Sequence, residues 1–292
     1  TTEFGHALLM GVGGSGRKSC TNFAIFIAVF ESFEIEITKA YNFEAWREDM
    51  RQKLFMQCGV DEKQTVFILN DTQIIMESFL EDVNNILNNG EIPNLYSAPE
   101  DINMIMEQMR DVNKNVPGFK NWGDSEIWLD FLGKCKQNVH IILAMSPIGD
   151  DFKRRLRMFP SLVNCCAIDY FLPWPTEALQ SVAQHFLKEI PDLPEFDGVI
   201  TICVDMQERV TALAARYLSE QKRHYYVTPT SYLVLIQAFK DLLAKKRKEI
   251  DTIIDKYAKG IDELDKAKKE VGTLQEELKK MLPELEQGKK ET

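Results

Sequence analysis

The chain has 292 residues, 45% of them hydrophobic, with a formal net charge of −10, which leaves room for one large or two medium domains plus an extension. The acidic balance argues against general nucleic-acid binding, although not against a local basic patch. Six cysteines at 20, 58, 135, 165, 166 and 203 form no Cys-x-x-Cys pair and no metal spacing, so they read as free thiols of a reducing compartment; no apolar run reaches the roughly 18 residues of a membrane span, and no basic-then-apolar leader opens the chain.

The chain begins without Met and almost at once enters an apolar run, His6–Met10, as expected of a piece excised from a longer polypeptide. After that strand comes Gly11-Val12-Gly13-Gly14-Ser15-Gly16-Arg17-Lys18-Ser19 and then an apolar helix read over Cys20–Phe33. A phosphate loop needs glycines so that successive N–H groups can face one anion, and the following helix adds its positive end. In the usual pattern Lys follows the last glycine and a hydroxyl residue holds Mg²⁺. Here Arg17 stands in the lysine place and Lys18 in the hydroxyl place. Arg17 keeps the attraction for phosphate with a longer planar fork. Lys18 cannot ligate a metal, and Ser19 is turned by roughly 100° from the needed direction. Weak Mg²⁺ binding is the expectation.

A second helix is read over Glu44–Gln57. The strand Thr65–Leu69 then ends in Asn70-Asp71, where a nucleotide site needs acids to organise the metal and polarise water. One register puts Asn70 in the metal place and Asp71 in the water place; the other makes Asp71 the metal acid and Thr72 the second residue. Either way one carboxylate is missing. Ser78–Leu87 reads as an amphipathic helix stopped by Asn88-Asn89-Gly90. Residues 96–126, with Pro99, Pro117, Gly118 and Gly123, read as an interruption, and the methionines at 104, 106 and 109 as core filling. A third strand, Val139–Met145, ends in Ser146-Pro147, where a polar tip reaches a terminal phosphate or simply opens a turn. Lys153, Arg154, Arg155 and Arg157 follow and, on sequence alone, read as a solvated face.

Residues 1–172 thus read as an α/β domain with a parallel sheet and its ligand at the strand C-terminal ends. Pro173-Trp174-Pro175 marks a boundary, and 173–240 reads as a small domain, helical throughout, with Thr176 as the cap of its first helix. From 241 to 292 the composition turns to alternating charge. A stripe of Ile250, Ile254, Tyr257, Ile261, Leu264, Val271, Leu278, Leu282 and Leu285 steps by three and four, with Lys268 and Gln275 also on it. A second stripe, Ile253, Ala267, Leu274 and Met281, lies beside it, so a partner helix can pack in more than one register. Pro283 is expected to bend or loosen that helix.

With these features in order, the chain resembles the fourth AAA+ module of an axonemal dynein heavy chain together with the first helix of its stalk. The residues that carry the likeness are Gly11–Arg17, Asn70–Ile74 with Phe79–Asp82, Met145–Asp150, Phe159–Cys165, Trp174-Pro175 and Tyr226–Leu233. The resemblance implies an α/β P-loop AAA+ large domain, a small helical domain and a coiled-coil helix, set in a six-module ring of a microtubule motor of the cytoplasm and cilium axoneme. It implies bound ADP or ATP held by Gly11 to Ser19, Ser146 as a sensor, and Arg155 or Arg157 as a finger serving the preceding module's nucleotide. Its implied partners are the neighbouring modules, the second stalk helix and, through the stalk tip, the microtubule, with no nucleic acid and no membrane. In that family the fourth module is a regulatory site, which suits the altered Arg17, Lys18 and Asn70. Two other classes compete: a structural linker with a relic loop, and a self-sufficient coiled-coil ATPase of the chromosome-maintenance kind.

Overall fold

The computed structural model describes residues 5–116 and 119–288. Five parallel strands, β1 (His6–Met10), β2 (Glu31–Glu34), β3 (Thr65–Asn70), β4 (Val139–Met145) and β5 (Cys166–Tyr170), form one sheet in the order β2-β3-β4-β1-β5. In the register, Met10 faces Met145 on one side and Tyr170 on the other, and Asn70 faces Ala144. The C-terminal tips of β1, β3 and β4 therefore lie together, where ligands of open α/β sheets bind.

Strand β3 shows why the sheet is buried. Phe67 and Leu69 face the main core, whereas Val66 and Ile68 join a smaller cluster with Ile25 of α1 (Arg17–Ala28), Phe30 and Ile142. Against the main-core face pack α4 (Glu77–Asn89), α5 (Pro99–Val112) and α6 (Asp124–Asn138), with the helical run of α2 (Phe43–Asp49), a π-helical stretch at Met50–Phe55, and α3 (Met56–Gly59). Trp46 is wholly buried there, stacked on Phe79 at 4.3 Å and donating its indole N–H to Asp82 at 3.0 Å. Gly90 closes α4 at φ 81°, as the Asn-Asn-Gly stop predicts.

Two expectations about the large domain need correction. The apolar run after the loop is a helix only to Ala28; Val29 turns left-handed at φ 57° and the chain continues as β2, so the helix read to Phe33 hides a strand. Residues 96–126 are not an interruption, because Pro99 opens α5, for which its fixed φ is suited, and α6 follows at Asp124. Met106 and Met109 of α5 do fill core, while Pro117 and Gly118 lie outside the described residues. Beyond the sheet, α7 (Asp150–Met158) and α8 (Ser161–Asn164) lead into β5.

The rest of the chain forms α9 (Thr176–Leu187), α10 (Phe196–Gln221) and α11 (Pro229–Gly288). It is not helical throughout, since residues 222–228 are non-helical. Contacts divide the molecule into two units, Thr1–Leu179 with Asp205–Tyr232, and Gln180–Val204 with Leu233–Thr292. In the first, Tyr232 is buried and donates its hydroxyl to the Leu179 carbonyl at 3.0 Å. In the second, Lys240 pairs with Glu189 at 2.6 Å and the Arg247 guanidinium donates to the Pro191 and Asp192 carbonyls. The backbone of α11 stays helical through Pro283. Its apolar stripe is exposed at Ile250, Ile254, Tyr257, Ile261, Leu264, Val271 and Leu278, as is the neighbouring stripe at Ile253, Leu274 and Met281; the side chains of Leu282 and Leu285 lie outside the described residues.

Candidate nucleotide site

The loop between β1 and α1 is built for close approach. The Gly11 N–H donates to the Met145 carbonyl of β4, fixing the loop to the neighbouring strand tip. The carbonyl of Gly14, at φ 77°, accepts the Thr230 hydroxyl at 2.8 Å and the Thr230 N–H at 3.3 Å; a Cβ on Gly14 would stand 2.9 Å from that hydroxyl. Gly13 and Gly16 instead border open space, with nothing among the described residues within 4 Å of an added Cβ. Helix α1 begins at Arg17, so its first N–H groups, which lack intrahelical partners, face the same end of the sheet.

Two buried polar atoms beside this opening, Ser15 Oγ and Arg17 Nη1, make no hydrogen bond to any described residue. Buried donors left unpaired cost about 1–3 kcal/mol each, so this pair points to an anion as their partner. Burial pushes the Arg17 pKa down and the nearby Asp71 carboxylate pushes it back up, with burial the larger influence.

Loop, β3 tip and β4 tip do meet. Asp71 Oδ2 accepts the Ser146 N–H at 2.9 Å. Asn70 takes a different part: its amide donates to Glu34 at 3.0 Å and to the Gln73 side chain at 3.1 Å, while Gln73 accepts the Asn70 N–H in return. Lys18, half exposed, places its ammonium 2.6 Å from the other oxygen of Glu34. Ser19 is exposed one residue further along α1. The residues proposed to hold Mg²⁺ do not fit that cation well, because Lys18 and Asn70 are bonded to a shared carboxylate and Asp71 is engaged by the β4 tip. Among the described residues no group of three or more His, Cys, Asp or Glu is placed to hold a metal.

Arg155 and Arg157 of α7 separate in role. Arg155 is only 15% exposed and lies 3.6 Å from Glu77, which Arg154 also engages at 3.0 Å. Arg157 is exposed. The four cations are thus not one uniform solvated face.

Adjoining the loop is a cavity of about 680 Å³, within the usual range for small-molecule sites. Val12 and Ser15 close one side, and Phe171, Trp174, Leu218 and Tyr226 give it a largely apolar wall. His224 and Tyr226 stack at 5.6 Å with their planes 3° apart. These wall residues carry no periodic or phosphate signature, and the only sequence sign of them is their aromatic and proline-rich motifs. A glycine loop entering a helix from a parallel sheet, with buried unpaired donors and an apolar cavity beside it, defines a P-loop nucleotide-binding domain of the α/β class.

Residues 1–242 match the family described as P-loop containing dynein motor region D4. The chain is 45% identical over 268 residues to rat dynein axonemal heavy chain 1 and 43% identical over 264 residues to human dynein axonemal heavy chain 6, with 89% and 90% of this chain covered. It is 42% identical over 264 residues, 89% of its length, to the 1-beta heavy chain of the flagellar inner arm I1 complex of Chlamydomonas reinhardtii. The chain belongs to the dynein heavy-chain family as its D4 motor region. It spans about 6% of the length of each of those relatives.

Proposed function

We propose that this chain is the regulatory nucleotide module of a ciliary dynein heavy chain, holding ADP or ATP and hydrolysing it slowly or not at all. The observation that carries the reading is the pair of buried, unpartnered donors, Ser15 Oγ and Arg17 Nη1, at a loop opening onto an apolar cavity. The loop N–H groups and Arg17 hold the phosphates, and the walls at Trp174 and Tyr226 receive the base. When bound, the nucleotide supplies a phosphoanhydride to this site. Ser146 at the β4 tip senses its outer phosphate, with Asp71 fixing that tip through the Ser146 N–H. Slow turnover follows from Asn70, whose amide cannot act as the metal-organising carboxylate.

In this reading the large domain covers 1–172, the small helical domain 173–240 and the stalk helix 241–292. Arg157, exposed on α7, is the better finger for a neighbouring module, because Arg155 is already paired with Glu77. The exposed stripes of α11 receive the second stalk helix, which leads to the microtubule. The relatives named axonemal and flagellar support a place in the cilium axoneme. No described helix is long and apolar enough to cross a membrane. The test is to denature the purified chain and identify any released nucleotide by chromatography. Stoichiometric ADP or ATP is expected; an empty protein that also fails to bind added nucleotide would overturn the reading in favour of a relic linker.

A further inference from the structure

Building on the nucleotide reading, we infer that Lys18 stands in for the divalent cation, so that the site takes the nucleotide's phosphates as a metal-free anion. In a P-loop site the metal bridges a loop hydroxyl and an acid at the β3 tip. Here those two positions are Lys18 and Asn70, and they are joined to each other through one carboxylate. Glu34, at the end of β2, accepts the Lys18 ammonium at 2.6 Å on one oxygen and the Asn70 amide at 3.0 Å on the other. Gln73 donates to that second oxygen at 3.4 Å and to the Ile35 carbonyl at 2.8 Å, which anchors the network to the backbone just past the end of β2.

The chemistry favours a fixed monovalent charge over a bound metal. A divalent ion entering between loop and strand tip would meet the Lys18 ammonium and the Arg17 guanidinium, both on the first turn of α1, and would need Glu34 to release its partners. With no such ion, Arg17 and the helix N-terminus supply the net positive field that attracts phosphate, while the Lys18 ammonium, balanced by Glu34, occupies the metal's place as a neutral ion pair. A tethered ammonium neutralises charge but supplies no coordinated water and no polarising divalent field. Tight retention with little hydrolysis is the consequence.

The experiment is titration calorimetry of ADP and of ATP with the full chain, once in excess Mg²⁺ and once in excess chelator. The expected result is a Kd that differs by less than about threefold between the two conditions. A Kd tighter by about tenfold or more with Mg²⁺ would overturn the inference while leaving the nucleotide reading intact. Absence of binding in both conditions would instead overturn the nucleotide reading on which it rests. Lys18 is more than half exposed, so its replacement leaves the core untouched. In Lys18→Ser, which restores a hydroxyl and releases Glu34, Mg²⁺ is expected to tighten binding by about tenfold; a variant as indifferent to Mg²⁺ as the parent would count against the assignment.

Discussion

His6 shows how a single side chain can set the acid limit of the fold. Its Nδ1 accepts the Ile141 N–H at 3.0 Å, so the ring must be neutral at that nitrogen. Burial, reinforced by the neighbouring His140, lowers its pKa to about 4. A depressed folded pKa means the unfolded chain binds the proton more readily. The stabilising contribution is therefore complete above pH 6.5 and is lost as pH falls from 6.5 through about 4. Thermal melting followed across that window should show a decline in the parent. His6→Asn, whose carbonyl also accepts the Ile141 N–H without titrating, should flatten it; an equal decline in the variant would remove His6 as the cause.

At the scale of elements, the contact of interest is between a loop and a helix start. Thr228 and Ser231 cap α11 reciprocally, with the Ser231 N–H donating to the Thr228 hydroxyl and the Thr228 N–H to the Ser231 hydroxyl. Between them Thr230 is bonded to Gly14 of the loop. Thr230→Val removes the hydroxyl and keeps the shape. Loss of one such bond costs about 1 kcal/mol, so amide hydrogen exchange in the first turns of α11 should accelerate about fivefold. Unchanged exchange would mean the contact carries no energy.

Some elements could be read from sequence and others could not, for reasons that particular residues make plain. Strand β4 matches its reading from Val139 to Met145 because a continuous apolar run is what a strand buried on both faces needs. The β2 strand was hidden: Glu-Ser-Phe-Glu follows an apolar helix with no glycine between, and the turn is made by Val29 at a φ that β-branched residues rarely adopt. Strand β5, exposed along most of its length at the sheet edge, has no apolar run to mark it. The loop glycines, Arg17 and the Asn70-Asp71 tip were legible because phosphate chemistry dictates their spacing. Glu34 was not, since its importance comes only from pairing with residues distant in sequence.

For the whole molecule, the proposed function makes the same network the difference between this module and a hydrolytic one. Converting Arg17→Lys, Lys18→Thr and Asn70→Asp together should restore the loop cation, the metal hydroxyl and the missing acid. In an assembled motor ring carrying this module, Mg²⁺-dependent turnover attributable to it should rise by about 10²-fold or more. A rate unchanged by all three substitutions would show that the lesion lies elsewhere.

The unbroken run of α11 has a mechanical corollary. At 60 residues it is about 90 Å long by helical rise. It starts immediately after Thr228, which caps it together with Ser231, and Thr230 in its first turn is bonded to the phosphate loop. By geometry alone, a tilt of about 5° at the base of a rod that long moves its far end sideways by about 8 Å, close to the spacing of about 8–10 Å between two packed helices.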